Sequence, residues 1–152
     1  MALGRGIAGR LPAKCVVLLV GNLGAGKTTL AKGILEGLKV ADPDEVTSPT
    51  FTLIHEYPTD DRAATRHAFH IDLYRLDTPE EVAGLGLDDL FDQDAVVLIE
   101  WGERFRDLWP EGYLEIQLSA EASDDVEDVG GELHRVVLPE ELVPESGQLN
   151  NI

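Results

Sequence analysis

CVVLLVGNLGAGKTTL, residues 15–30, decides how the rest of the chain is read. Cys15 to Val20 is a short continuous apolar run, the pattern of a strand buried on both faces of a sheet. It breaks at once into three glycines, Gly21, Gly24 and Gly26, followed by Lys27 and Thr28. Thr28 to Leu38 then carries Leu30, Ile34, Leu35 and Leu38 at helical spacing, although Gly33 and Gly37 lower the helix propensity within it. Strand, glycine loop and helix in that order are the context that the pattern Gly-x-x-x-x-Gly-Lys-Thr requires to act as a phosphate-binding loop.

Each position in this Walker A pattern has a physical task. The glycines permit backbone angles that turn successive N–H groups toward an anion. The helix that follows adds the positive end of its dipole. Lys27 supplies a mobile charge for the β- and γ-phosphates, and the Thr28 hydroxyl suits Mg²⁺. The expected nucleotide contacts are therefore Leu23, Gly24, Ala25, Gly26, Lys27, Thr28 and Thr29.

Working outward, Lys39 to Pro49 reads as a loop broken by Pro43 and Pro49. FTLIHEY (51–57) and HAFHIDL (67–73) are rich in strand formers, and the polar stretch between them predicts an antiparallel hairpin. DTPEEV (77–82) spells a helix start, with Thr78 as cap, Pro79 in the first turn and Glu81 completing a capping box. AVVLIE (95–100) is a second apolar strand ending in an acid. YLEIQLS (113–119) and ELHRVVL (132–138) alternate like half-exposed strands, and the acidic stretch between them reads as a solvated hairpin tip. Residues 1–13 form a short mixed segment closed by Pro12, and the tail from 139 to 152 loses its pattern and is expected to fray. The expected architecture is α/β: a P-loop NTPase-like three-layer fold with a mixed, partly antiparallel sheet, forming one domain over residues 1–152.

Phosphoryl transfer also needs carboxylates near the metal and the attacking group. Glu100, at the end of Val96-Val97-Leu98-Ile99, resembles a Walker B acid, and Asp72 closes a comparable run. Acids at the carboxyl ends of parallel strands reach the ligand crevice of such sheets. Thr47-Ser48-Pro49-Thr50-Phe51 lies where nucleotide hydrolases carry a turn that senses the γ-phosphate, although an ordinary strand-entry turn reads the same. Trp101 suits either the core or a wall packed over the nucleotide. The four histidines show no metal-ligand spacing, so zinc is unsupported.

Acidic residues outnumber basic ones by 29 to 12, for a net charge of −17, which disfavours autonomous binding to a nucleic-acid backbone. The single cysteine, Cys15, excludes an intramolecular disulfide and suits a reducing, cytoplasmic setting. Its apolar run is too short to span a membrane. The guanine-reading Asn-Lys-x-Asp segment of GTPases is absent. Three readings stay open on residues alone: a nucleotide hydrolase, a small-molecule kinase for which Arg104 and Arg106 make a thin lid, and a non-hydrolysing module that regulates a partner.

Taken together, residues 21–30, Thr47-Ser48-Pro49-Thr50-Phe51-Thr52-Leu53, His70-Ile71-Asp72-Leu73-Tyr74-Arg75-Leu76 and Ile99-Glu100-Trp101-Gly102-Glu103 resemble the TsaE family, over about Leu11 to Leu118. The resemblance implies an ATPase of bacterial tRNA threonylcarbamoyladenosine biosynthesis that acts with TsaB-like and TsaD-like proteins, the latter modifying adenosine 37, and that meets tRNA only through that complex. It implies Mg²⁺ ligation by Thr28 and Glu100, phosphate binding by Lys27 and a need for Asp72 in hydrolysis. It also places Trp101, Ser48 and Thr50 in the active-site wall and switch. Two features depart from the family pattern: Asn22 replaces its usual Asp, and the sequence starts close to the segment aligned with Leu3–Leu11, ahead of which the family usually has a further stretch that includes a Ser/Thr-rich turn near the adenine.

Overall fold

The computed structural model describes residues 2–22, 25–38, 54–57, 67–119, 126–129 and 132–142. The first apolar run is strand β1 (Cys15–Val20), and it occupies the middle of the sheet. On one side it pairs in parallel with β4 (Ala95–Glu100), and β4 pairs in parallel with β3 (His67–Asp72). On the other side it pairs in parallel with β5 (Leu114–Ser119). The antiparallel strands lie outside this parallel core. β2 (Ile54–Tyr57) forms the expected hairpin with β3, and β7 (Glu132–Val137) pairs with β5. The full order is β2-β3-β4-β1-β5-β7-β6, where β6 is Val126–Val129.

The acidic stretch after β5 is more than a solvated tip, because it contains a strand, β6 (Val126–Val129), antiparallel to β7. Two valines separated by two acids gave too little alternation to mark it. The start of the tail differs from expectation, since Glu140–Leu142 makes a 3₁₀ turn and Leu142 is fully buried in the core, while residues 143–152 lie outside the described residues.

Side-chain alternation along the central strands divides the core into two layers. Val17 and Leu19 of β1 face helices α1 (Ala2–Ala8) and α2 (Lys27–Gly37), whose Ile7, Leu30, Ile34 and Leu35 fill that side. Val16 and Leu18 face the opposite way, toward α3 (Pro79–Ala83), α4 (Leu87–Phe91) and the 3₁₀ segment Gly102–Leu108. The result is the expected three-layer α/β arrangement with a mixed sheet.

The mixed N-terminal segment is a helix because it packs tightly on α2. A Cβ on Gly4 would lie 2.6 Å from the Gly33 backbone, and one on Gly37 would lie 2.6 Å from the Ala8 side chain. The glycines that weaken α2 as an isolated helix are thus what lets α1 approach it. The capping box of α3 forms as read: the Glu81 amide donates to Thr78 Oγ1, and the Thr78 amide donates to Glu81 Oε1. Among the described residues, no helix is long and apolar enough to cross a membrane.

Candidate functional site

β1 delivers the chain to Gly21 at the carboxyl end of the parallel strands. The backbone there is crowded, since a Cβ on Gly21 would sit 2.6 Å from the Leu118 carbonyl oxygen. Ala25 is buried, and Gly26 caps α2 in the left-handed region at φ 95°. That angle strains any residue with a side chain. The Leu30 amide donates to the Gly26 carbonyl at 2.9 Å, joining the loop to the first turn of α2.

Lys27 opens α2 and is only 5% exposed. Its Nζ donates to the Gly21 carbonyl at 2.7 Å and lies 3.3 Å from the centroid of the Trp101 ring. Burial pulls the Lys27 pKa below its ordinary value, against the charges of Glu103, Glu100 and Asp72. Trp101 itself takes a left-handed backbone at φ 64° and meets Tyr74 with ring centroids 5.0 Å apart. It is half-buried and belongs to the wall of this site as much as to the core beneath it.

The two acids arrive from neighbouring strands. Asp72 and Glu100 are register partners in the parallel pair β3–β4, and Leu19 of β1 is the partner of Glu100 on its other side. Thr28, one residue into α2, places Oγ1 3.2 Å from each Glu100 carboxylate oxygen. Asp72 Oδ1 accepts from the Tyr74 amide at 2.9 Å. Burial raises the Asp72 pKa most; the Tyr74 amide opposes this, Glu100 adds to it, and His70 and Lys27 oppose it.

The structure therefore gathers Ala25, Gly26, Lys27, Thr28, Asp72, Glu100 and Trp101 at one end of the sheet, with Thr29 half-buried on the same helical turn. Leu23, Gly24, Ser48 and Thr50 lie outside the described residues. Arg104 and Arg106 bond elsewhere: Arg104 donates to the Leu73 and Tyr74 carbonyls, and Arg106 pairs with Glu115.

Two residues escaped the sequence reading. His70 is fully buried with Nε2 2.5 Å from Glu100 Oε2, and its Nδ1 has no partner. Glu103 is the acid that acts most strongly on Lys27, and its buried Oε1 is unpaired. A signal for His70 existed in its place two residues before Asp72, which puts both on one face of a strand. Leaving a buried polar atom unpaired costs about 1–3 kcal/mol, so such atoms call for a reason.

The oxygen donors of Thr28 and Glu100 suit a hard divalent cation. Among the described residues, no group of three or more His, Cys, Asp or Glu could hold a metal alone.

Comparison with known proteins points to one family. The family model described as threonylcarbamoyl adenosine biosynthesis protein TsaE matches residues 1–129. The chain is similar to the tRNA threonylcarbamoyladenosine biosynthesis protein TsaE of Haemophilus influenzae, 40% identical over 114 residues, covering 75% of this chain and 67% of that protein. It is similar to the protein of the same name from Nostoc sp., 47% identical over 98 residues, covering 62% of this chain and 56% of the relative. The chain thus spans between about half and two thirds of these relatives' lengths. Among solved structures, the crystal structure of Bacillus subtilis YdiB superposes with a TM-score of 0.61 at 27% identity, covering 93% of this chain and 80% of that one.

Proposed function

The chain belongs to the TsaE family of threonylcarbamoyl adenosine biosynthesis proteins, and on that premise we propose that it is a Mg²⁺-dependent ATPase supporting threonylcarbamoyl modification of adenosine 37 in tRNA. In this reading it acts on TsaB-like and TsaD-like partners in the cytoplasm and meets tRNA only through them. Its net charge of −17 supports the indirect route, since the surface as a whole repels a phosphate backbone. Two core layers on a single sheet support treating residues 1–152 as one domain.

One observation carries the proposal: Lys27 and Thr28, at the start of α2, meet Glu100 and its register partner Asp72 at adjoining strand ends. The loop amides and Lys27 hold the phosphates. For that task Lys27 must leave the Gly21 carbonyl and the Trp101 face. Thr28 and Glu100 would hold Mg²⁺, whose charge offsets that on the phosphate oxygens. Asp72, with Oδ1 fixed by the Tyr74 amide, offers Oδ2 to orient a water for attack on the γ-phosphate. Ser48 and Thr50 are assigned to a turn that senses the γ-phosphate.

Phosphate release from ATP, measured with and without the TsaB–TsaD pair, tests the proposal. Slow release alone and faster release with the pair is expected. Transfer of the γ-phosphate to a small molecule would instead reveal a kinase, and ATP left intact in the full mixture would reveal a passive module.

A further inference from the structure

His70 and Asp72 leave β3 on the same side of the sheet, because they are two residues apart. That side is the one covered by α1 and α2, where Ala68, in the same alternation, joins the core. In the parallel register His70 lies opposite Leu98, and Asp72 lies opposite Glu100. The imidazole therefore stands one step behind the two acids and reaches forward to Glu100 from within the core. The contact is dry: His70 is 0% and Glu100 3% exposed. With Lys27, these are the buried polar or charged side chains among the described residues, and all three are at this end of the sheet.

His70 Nε2 lies 2.5 Å from Glu100 Oε2, while Nδ1 is buried with no partner. A leucine would fill the same core position without stranding a nitrogen. On the outer side, His55 of β2 is the register partner of His70, but its Nδ1 is 3.5 Å from the Tyr57 hydroxyl, so it is turned to a different group.

We infer that His70 is a positioning residue: its Nε2–H donates to Glu100 Oε2 and locks the carboxylate in the orientation that faces the Thr28 hydroxyl. Thr28 Oγ1, 3.2 Å from both carboxylate oxygens, marks where that carboxylate is aimed. Without this anchor the carboxylate can rotate toward Lys27, whose ammonium already senses its charge. Hydrogen-bond partners behind a ligating carboxylate hold it in register in this way. The inference rests on the proposed nucleotide–metal reading and deepens it. In that reading Thr28 and Glu100 hold the cation, whereas His70 touches neither nucleotide nor metal.

The test compares the wild-type chain with His70→Leu, His70→Gln, His70→Asn and Glu100→Gln. Mn²⁺ uptake beside a non-hydrolysable ATP analogue is followed by paramagnetic resonance. Nucleotide affinity is measured separately in chelator, and thermal melting controls for folding. His70→Leu is expected to weaken Mn²⁺ uptake about tenfold to a hundredfold while metal-free nucleotide affinity stays within about twofold. His70→Gln, whose terminal amide reaches the position of Nε2, recovers most of the loss. His70→Asn, which is too short, does not, and this pair decides the matter if the leucine variant folds poorly. Unchanged Mn²⁺ uptake in His70→Leu, equal loss in the Gln and Asn variants, or a parallel loss of metal-free nucleotide binding overturns the inference. A wild-type chain that takes up no Mn²⁺ beside the nucleotide overturns the parent reading together with this one. Uptake that responds to Glu100→Gln but not to His70→Leu overturns this one alone.

Discussion

At their carboxyl ends, the central parallel strands bring together Lys27, Asp72, Glu100 and the buried His70, while at their amino ends Cys15, Ala95 and Leu114 join Phe91 and Tyr113 around a groove of about 340 Å³. The contrast is one of polarity. The groove offers space lined mainly by apolar side chains, whereas the other end holds ionisable groups withdrawn from water. Burying charge costs stability unless it is paired, and burying apolar surface supplies it. The strands thus anchor the fold at one end and carry its chemically charged groups at the other. The carboxyl end has space as well, about 400 Å³ bordered by Gly21, Asn22, Gln117 and Ser119, so lining and not size separates the two ends.

Substitutions at either end can break that division. The largest effect is expected from Lys27→Ala, which removes the charge that the proposed function assigns to the phosphates. ATP affinity should fall about a hundredfold or more, about 3 kcal/mol, in a calorimetric titration. The melting temperature should not fall with it, because the lysine is held below its ordinary pKa mainly by burial. A variant that kept its affinity would separate the glycine loop from nucleotide binding.

Phe91→Ala tests the opposite end. Phe91 is half-buried and meets Trp109 edge-on, with ring centroids 6.0 Å apart. Its loss should cost about 1–2 kcal/mol in urea unfolding, less than the loss of a fully buried ring. Nucleotide affinity should be unchanged, and a drop in it would show that the two ends are coupled.

The smallest effect concerns pH. Burial holds the folded Asp72 pKa above its ordinary value of 3.8, so the folded chain binds that proton more tightly than the unfolded one. The stability contributed by this group is complete below 3.8 and is lost as pH rises through the folded value. Asp72→Asn should therefore melt above the wild type near neutral pH, with the gap closing as pH falls below the ordinary carboxylate range. Melting curves recorded from about pH 7 down to about pH 3 would show it, and a gap that did not change would contradict the sign.

The central fold could be read from the sequence because β1, β4 and the glycine loop are local signals. Continuous apolar runs mark buried strands, and Gly26-Lys27-Thr28 marks the turn between strand and helix. α1 was not legible in the same way. It depends on a close approach between Gly4 and Gly33, which becomes visible only once two helices are packed. β6 was missed because its stability comes from pairing with β7 and not from its own composition. At the site, Asp72 and Glu100 were suggested by where their runs end. The His70 contact required the register of two strands distant in sequence.

The resting contact between the lysine ammonium and the indole of Trp101 has an optical consequence. A cation 3.3 Å from the ring centroid perturbs the indole electronically. If phosphates draw the ammonium away, the emission of Trp101 must change even when the backbone stays still. Trp109, whose indole N–H is tied to the Gly102 carbonyl at 2.8 Å, supplies a steady background. In the proposed reading, Trp101 is thus a fluorescent reporter of whether Lys27 is parked on the ring or engaged with phosphate.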